Sequence, residues 1–142
     1  MDRTTSVLLP AAPPAPSPVR VLVADDEDDI RALVCLAVAK AGATVAAAVA
    51  DGTAALAGAR AGLPELAVLD VSMPGATGLE VCAALRADPA TAGIRILLLS
   101  AGASSDDVAR GLAAGADAYL AKPFGVSALV RQIQALATRQ PA

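Results

Sequence analysis

Residues 66–75 read LAVLDVSMPG, and the rest of the chain is interpreted outward from them. Leu66 to Leu69 form an unbroken apolar run that is typical of a buried strand, and the Met-Pro-Gly turn residues mark its end. One carboxylate, Asp70, stands between the two. Considered alone, Asp70 is either an ordinary turn residue or part of a site.

Strands and helices are predicted to alternate along the whole chain. Apolar, β-branched runs predict strands, and apolar residues at helical spacing between Gly, Pro or Ser/Asp signals predict helices. The predicted strands are 19–24, 43–49, 66–69, 94–99 and 118–121, and the predicted helices are 30–41, 52–61, 79–86, 104–114 and 126–137. Nearly continuous apolar strands alternating with helices indicate the α/β class, with a five-stranded, doubly wound parallel sheet.

One domain accounts for most of the 142 residues. Residues 1–18 are rich in Pro and Ala without an apolar period, which predicts a disordered N-terminal tail. Residues 19–138 are predicted to form the folded domain, followed by a short tail at 139–142. The composition is 56% hydrophobic but only 1% aromatic, so the core is expected to pack small aliphatic side chains.

Charge and composition exclude several classes of function. The net charge is −3 without a basic run, which argues against direct nucleic-acid binding. No apolar stretch reaches the roughly 20 residues that span a bilayer, and the N-terminus does not resemble a signal peptide, so a cytoplasmic location is expected. Histidine is absent, which excludes Ser-His and Cys-His catalysis. Cys35 and Cys82 have no metal or redox spacing and are interpreted as small core residues.

Polar residues follow four of the predicted strands. Ligands bind to open α/β sheets beyond the carboxyl ends of the strands, and these ends share one edge of a parallel sheet. The residues at that edge are Asp25 and Asp26, Asp70, Ser100, and Lys122 with Pro123. Each has an ordinary explanation by itself. The neighbouring acids Glu27, Asp28 and Asp29 are interpreted as a solvated helix start, one of them the N-cap.

The coincidence of these residue types at one edge indicates a particular chemistry. Three neighbouring carboxylates repel one another unless a cation binds, and oxygen ligands with a phosphate substrate suit Mg²⁺. A carboxylate can attack phosphorus and form an aspartyl-phosphate. A lysine and a hydroxyl can then contact the oxygens of the transferring group.

Four segments carry a resemblance to a known family. They are VLVADDEDD, LAVLDVSMPGATG, ILLLSA and DAYLAKPF, in that order. Together they resemble the receiver domain of bacterial two-component response regulators, over roughly residues 19–138. The resemblance implies a flavodoxin-like (βα)5 fold with strand order 2-1-3-4-5, as in the stand-alone receivers of chemotaxis.

The resemblance also implies a role for the residues at the strand ends. Asp70 is similar to the phosphoacceptor, Asp26 to the direct Mg²⁺ ligand, and Asp25 to the partner that acts through metal-bound water. Asp70 and the backbone carbonyl of Ser72 complete the implied metal ligands. Lys122 is similar to the lysine that pairs with a phosphoryl oxygen. The implied cofactor is Mg²⁺, for which Mn²⁺ can substitute.

Further residues match the switch of the family. Ser100 is similar to the residue whose hydroxyl turns toward the phosphoryl group, and Tyr119 to the aromatic that changes rotamer with it. The Lys122–Pro123 bond is implied to be cis. Gly78 is expected to supply unusual backbone angles in the turn after Asp70.

The function implied by the resemblance is a phosphorylation-activated switch of a two-component phosphorelay. A histidine kinase or histidine phosphotransfer protein would donate the phosphoryl group, and the surface formed by residues 104–137 would change and regulate a downstream protein. No nucleic-acid or membrane partner is expected. The chain would not be an enzyme for other substrates and would catalyse only its own phosphorylation and slow autodephosphorylation. It would be either a stand-alone receiver or part of a longer regulator.

Two alternatives stay open at the level of sequence. A Mg²⁺-dependent phosphohydrolase would use the same nucleophile, but such enzymes commonly carry an acid two residues later, where this chain has Ser72. A nucleotide-binding domain would place a Gly-rich loop after the first strand, where this chain reads DDEDD.

Overall fold

The computed structural model of the protein describes residues 18–138. The predicted tails lie outside the described residues apart from Pro18, and the division into tails and domain stays a prediction. The strands are β1 (Arg20–Ala24), β2 (Thr44–Val49), β3 (Leu66–Asp70), β4 (Arg95–Ser100) and β5 (Ala118–Ala121). The helices are α1 (Asp28–Lys40), α2 (Gly52–Gly62), α3 (Gly78–Ala87), α4 (Ser105–Ala113) and α5 (Val126–Ala137).

The five strands form one parallel sheet in the order β2-β1-β3-β4-β5. This confirms the α/β class and the strand order that the resemblance implied. The central position of β3 explains why all five of its residues, Leu66 to Asp70, are buried. None of the helices within residues 18–138 is long and apolar enough to cross a membrane.

Both faces of the sheet are covered by aliphatic core. Because side chains alternate along a strand, Val21, Leu66 and Leu97 pack on the face of α1 and α5. Leu22 and Leu69 pack with residues of α2 and α3 on the opposite face. The buried hydrophobic residues include no aromatic side chain among those described, as the composition predicts.

Two strands extend one residue further than predicted. Asp70 is the last residue of β3, where it pairs in register with Leu99. The amide of Val71 continues the ladder by donating to the Leu99 carbonyl at 2.8 Å. Ser100 likewise ends β4 and pairs with Ala121. The sheet therefore fixes the backbone of both predicted site residues.

Three local expectations are corrected by the structure. The second helix was predicted to end at residue 61, but α2 continues through Gly62, and the left-handed residue that follows it is Leu63, with φ of 46°. Cys82 is fully buried as predicted, whereas Cys35 is only partly buried. Gly78 is not among the described glycines that have a positive φ. A Cβ there would lie 2.4 Å from the Asp70 carbonyl oxygen, so the residue supplies space and not unusual backbone angles.

Candidate functional site

The ends of four strands bring the predicted site residues together. Asp25 follows β1 and is fully buried, and Asp70 and Ser100 end the buried strands β3 and β4. Lys122 follows β5, and its peptide bond to Pro123 is cis. Asp26 is exposed beside them. The site thus combines buried groups with an opening to solvent.

Lys122 lies at the centre of the charged groups. Its Nζ is 3.1 Å from Asp25 Oδ2, 3.2 Å from Glu27 Oε1 and 3.4 Å from Asp70 Oδ1. The Lys122 side chain is only 14% exposed. Burial lowers the pKa of this ammonium, but its contact with Asp25 and the charges of Asp70 and Glu27 outweigh burial, and the pKa is raised.

The carboxylates form a group that can hold a metal ion. Oxygen atoms of Asp25, Asp26 and Asp70 all lie within 4.8 Å of one another. Asp25 Oδ2 is buried and, despite its ion pair with Lys122, accepts no aligned hydrogen bond from the described residues. A buried carboxylate oxygen with no aligned hydrogen bond, within an all-oxygen group, fits a hard divalent cation such as Mg²⁺.

The pKa of Asp70 also reflects the close approach of these carboxylates. It is raised from 3.8 to about 6, chiefly by burial and then by the neighbouring Asp25 carboxylate, against the lowering effect of Lys122. The amide of Ser72 donates to Asp70 Oδ1 at 3.3 Å, which also favours the charged form. A single lysine therefore does not balance the acids that face it, and the site favours additional positive charge.

A cavity of about 380 Å³ opens over these groups. Its lining residues are Asp26, Glu27, Asp70, Ser72, Ala101 and Lys122. The cavity gives solvent access to the otherwise buried Asp70, so a small solute can reach the carboxylate from this side.

Ser100 and Tyr119 are connected through one residue, Gly102. The Gly102 amide donates to Ser100 Oγ at 3.0 Å, and the Tyr119 hydroxyl donates to the Gly102 carbonyl at 2.6 Å. The Tyr119 ring also approaches α4, because a Cβ on Gly111 would lie 2.8 Å from its Cδ2. The hydroxyls of Ser100 and Tyr119 are thus linked through their hydrogen bonds to Gly102.

Glu27 is a contact of the site that the sequence-based interpretation missed. It occupies the N-cap position of α1 without a side-chain cap hydrogen bond, and its carboxylate pairs with Lys122. The prediction of a solvated helix start with one of these acids as its N-cap is confirmed, because Glu27 is the N-cap residue and its side chain is 63% exposed; the pairing with Lys122 was not predicted. The available signal was the residue type, because glutamate is not among the preferred N-caps.

The fold and the acidic, lysine-containing edge define a receiver-type signalling domain. Residues 21–134 match the family described as the response regulator receiver domain, and the chain belongs to that family. Receiver domains of two-component response regulators act generally as phosphorylation switches.

The chain resembles curated regulators and solved receivers. It is 43% identical to SphR, the alkaline phosphatase synthesis transcriptional regulatory protein of Synechococcus elongatus, over 94% of this chain and 56% of that protein. It is 39% identical to TcrX of Mycobacterium tuberculosis, a probable transcriptional regulatory protein, over 86% of this chain and 51% of that protein. The chain therefore spans about half the length of these relatives.

Among solved structures, the signal receiver domain of the putative regulator NarL from Mycobacterium tuberculosis superposes with a TM-score of 0.80 at 34% identity, covering 88% of this chain and all of that one. The chemotaxis response regulator CheY4 of Vibrio cholerae gives 0.78 at 34% identity, covering 84% of this chain and 99% of that one.

Proposed function

We propose that the protein receives a phosphoryl group on Asp70 and thereby changes a surface that regulates a partner. The observation that carries the proposal is the position of Lys122, whose ammonium lies between Asp25 and Asp70 at the wall of an open cavity. This arrangement presents a carboxylate nucleophile beside a fixed cation.

The carboxylates of Asp25, Asp26 and Asp70, with the backbone carbonyl of Ser72, would hold Mg²⁺, or Mn²⁺ in its place. When bound, the ion supplies positive charge that offsets the repulsion among the acids and the phosphoryl oxygens.

The proposed reaction is a displacement at phosphorus. A carboxylate oxygen of Asp70 forms the new bond to phosphorus as the bond from phosphorus to the donor nitrogen breaks, and the departing imidazole keeps the electron pair. Lys122 pairs with one phosphoryl oxygen, and the Ser100 hydroxyl donates to another. The 142 residues contain no histidine, so a donor imidazole lies outside them, and a histidine kinase or histidine phosphotransfer protein is the proposed donor.

The output is proposed to pass through α4, β5 and α5. The Ser100 hydroxyl, which accepts from the Gly102 amide, is proposed to turn toward the phosphoryl group, and Gly102, whose carbonyl accepts from Tyr119, is proposed to move with it. The added charge then favours a second arrangement of this surface. The relatives are transcriptional regulators, so the downstream protein is proposed to serve gene regulation. We do not propose direct contact between residues 18–138 and nucleic acid.

A phosphorylation assay tests the assignment. The wild-type protein is incubated with Mg²⁺ and a small donor such as acetyl phosphate, and the phosphoprotein is measured by mass spectrometry. Asp70→Asn should abolish the added mass, because the amide is not a nucleophile of this kind. Asp106→Asn, an exposed acid of α4, serves as the matched control and should label normally. Equal labelling of Asp70→Asn and wild type would reject Asp70 as the acceptor.

A further inference from the structure

Lys122 has three carboxylate partners that differ in freedom to move. Asp25 is fully buried, and the Asp70 side chain is 5% exposed. The Glu27 side chain is 63% exposed and reaches Lys122 from the rim of the cavity. Only Glu27 can therefore leave the ammonium without a buried charge losing its partner or the sheet edge moving.

The backbone of Glu27 is held while its side chain stays free. Its amide donates to Asp25 Oδ1 at 2.9 Å, and its carbonyl accepts from the Arg31 amide at 2.9 Å as the first turn of α1 forms. The carboxylate makes no cap bond with α1. The contact with Lys122 at 3.2 Å is thus not a by-product of helix capping.

We infer that Glu27 is a positioning residue, a displaceable counter-ion that occupies Lys122 until a phosphoryl group takes its place. The inference rests on the proposed function, in which a phosphoryl oxygen pairs with the same ammonium. An anion that binds at Asp70 must displace the Glu27 carboxylate or share the ammonium with it. Glu27 therefore opposes phosphoryl binding and keeps the lysine oriented in its absence.

The size of the effect follows from the exposure of the pair. The Lys122 side chain is 14% exposed but Glu27 is 63% exposed, so we place the pair near the range of surface ion pairs. Such pairs are typically worth about 0.2–1 kcal/mol, and loss of the competitor should strengthen anion binding by about 1.5- to 5-fold. A general loss of negative charge elsewhere on α1 should do less, because salt at physiological strength screens charges beyond about 8 Å.

Three variants separate the contact from net charge. Glu27→Gln removes the charge, and Glu27→Asp keeps the charge but shortens the side chain by one methylene, so that it no longer reaches Lys122. Asp29→Asn removes a charge two residues further along α1 and is the matched control. The probe is beryllofluoride with MgCl₂, and its affinity for the protein is measured by calorimetry at 150 mM salt, together with the free energy of unfolding.

Glu27→Gln should bind beryllofluoride about 1.5- to 5-fold more tightly than wild type, and Glu27→Asp should shift in the same direction. Asp29→Asn should stay close to wild type. Unchanged or weaker binding by Glu27→Gln, or an equal gain in Asp29→Asn, would overturn the inference alone. If the wild type bound no beryllofluoride, the proposed function would fall, and this inference with it.

Discussion

At the scale of the residue, Asp70 is stabilised poorly in its charged form. The pKa of this carboxyl is raised from its ordinary value of 3.8 to about 6, chiefly because it is buried and then because Asp25 lies close. A raised pKa means that the contribution of Asp70 to stability is fully present below pH 3.8 and is lost as the pH rises through about 6. At neutral pH the ionised Asp70 carboxylate therefore lowers the stability of the metal-free fold.

Asp70→Asn should consequently stabilise the metal-free protein at pH 7. The expected gain in the free energy of unfolding is about 3 kcal/mol, and it should shrink toward zero as the pH falls from 6.5 to 4. Urea titrations of both proteins in a chelator, at several pH values in this range, measure the difference. A difference in unfolding free energy that does not change with pH would contradict the raised pKa of Asp70.

Individual residues of the site differ in how far the sequence predicts them. Asp25, Asp70 and Lys122 follow apolar runs, so their positions at one edge follow from the sheet rule alone. The sheet rule does not predict the role of Glu27, because that role depends on a lysine 95 positions later in the chain. Contacts of such separation are visible only once β1 and β5 have been placed.

At the scale of the element, local signals predict some ends and miss others. Ser104 and Asp107 predict the start of α4, and the structure has the reciprocal capping box with hydrogen bonds of 3.1 and 3.4 Å. The ends of β3 and β4 were missed by one residue, because they are set by pairing across the sheet. Leu63 was missed because a left-handed leucine contradicts local preference.

The start of α3 depends on a close approach to the end of β3. A Cβ on Gly78 would lie 2.4 Å from the Asp70 carbonyl oxygen and 2.9 Å from its carbonyl carbon. Both are backbone atoms, so Gly78→Ala must displace the helix or the strand end. We expect a loss of about 1–3 kcal/mol in the free energy of unfolding, together with weaker beryllofluoride binding at Asp70.

Gly93→Ala is the matched control for this prediction, because a Cβ there meets nothing within 4 Å. Urea unfolding and calorimetry should show a near-normal Gly93→Ala protein beside an impaired Gly78→Ala protein. Equal stability and affinity in the two variants would mean that α3 tolerates a side chain at its first residue.

At the scale of the whole molecule, the acidic edge couples folding to the ionic environment. Three carboxylates converge there only when β1 and β3 are paired, so the unfolded chain does not offer this group to a cation. A ligand that binds only the folded state stabilises it in proportion to its concentration. Periodicity predicts the layered fold, but the strength of this coupling depends on distances that only the assembled sheet fixes.

Mg²⁺ should therefore stabilise the protein against urea at pH 7.5. At ten times its dissociation constant the gain is about 1.4 kcal/mol, and it should rise with the logarithm of the concentration. Asp26→Asn should lose most of this gain without a large change in metal-free stability, because Asp26 is the exposed member of the group. NaCl at matched ionic strength controls for screening, which also weakens repulsion among the acids. Equal stabilisation by NaCl and MgCl₂, or an undiminished Mg²⁺ effect in Asp26→Asn, would show that the acidic edge binds no specific ion.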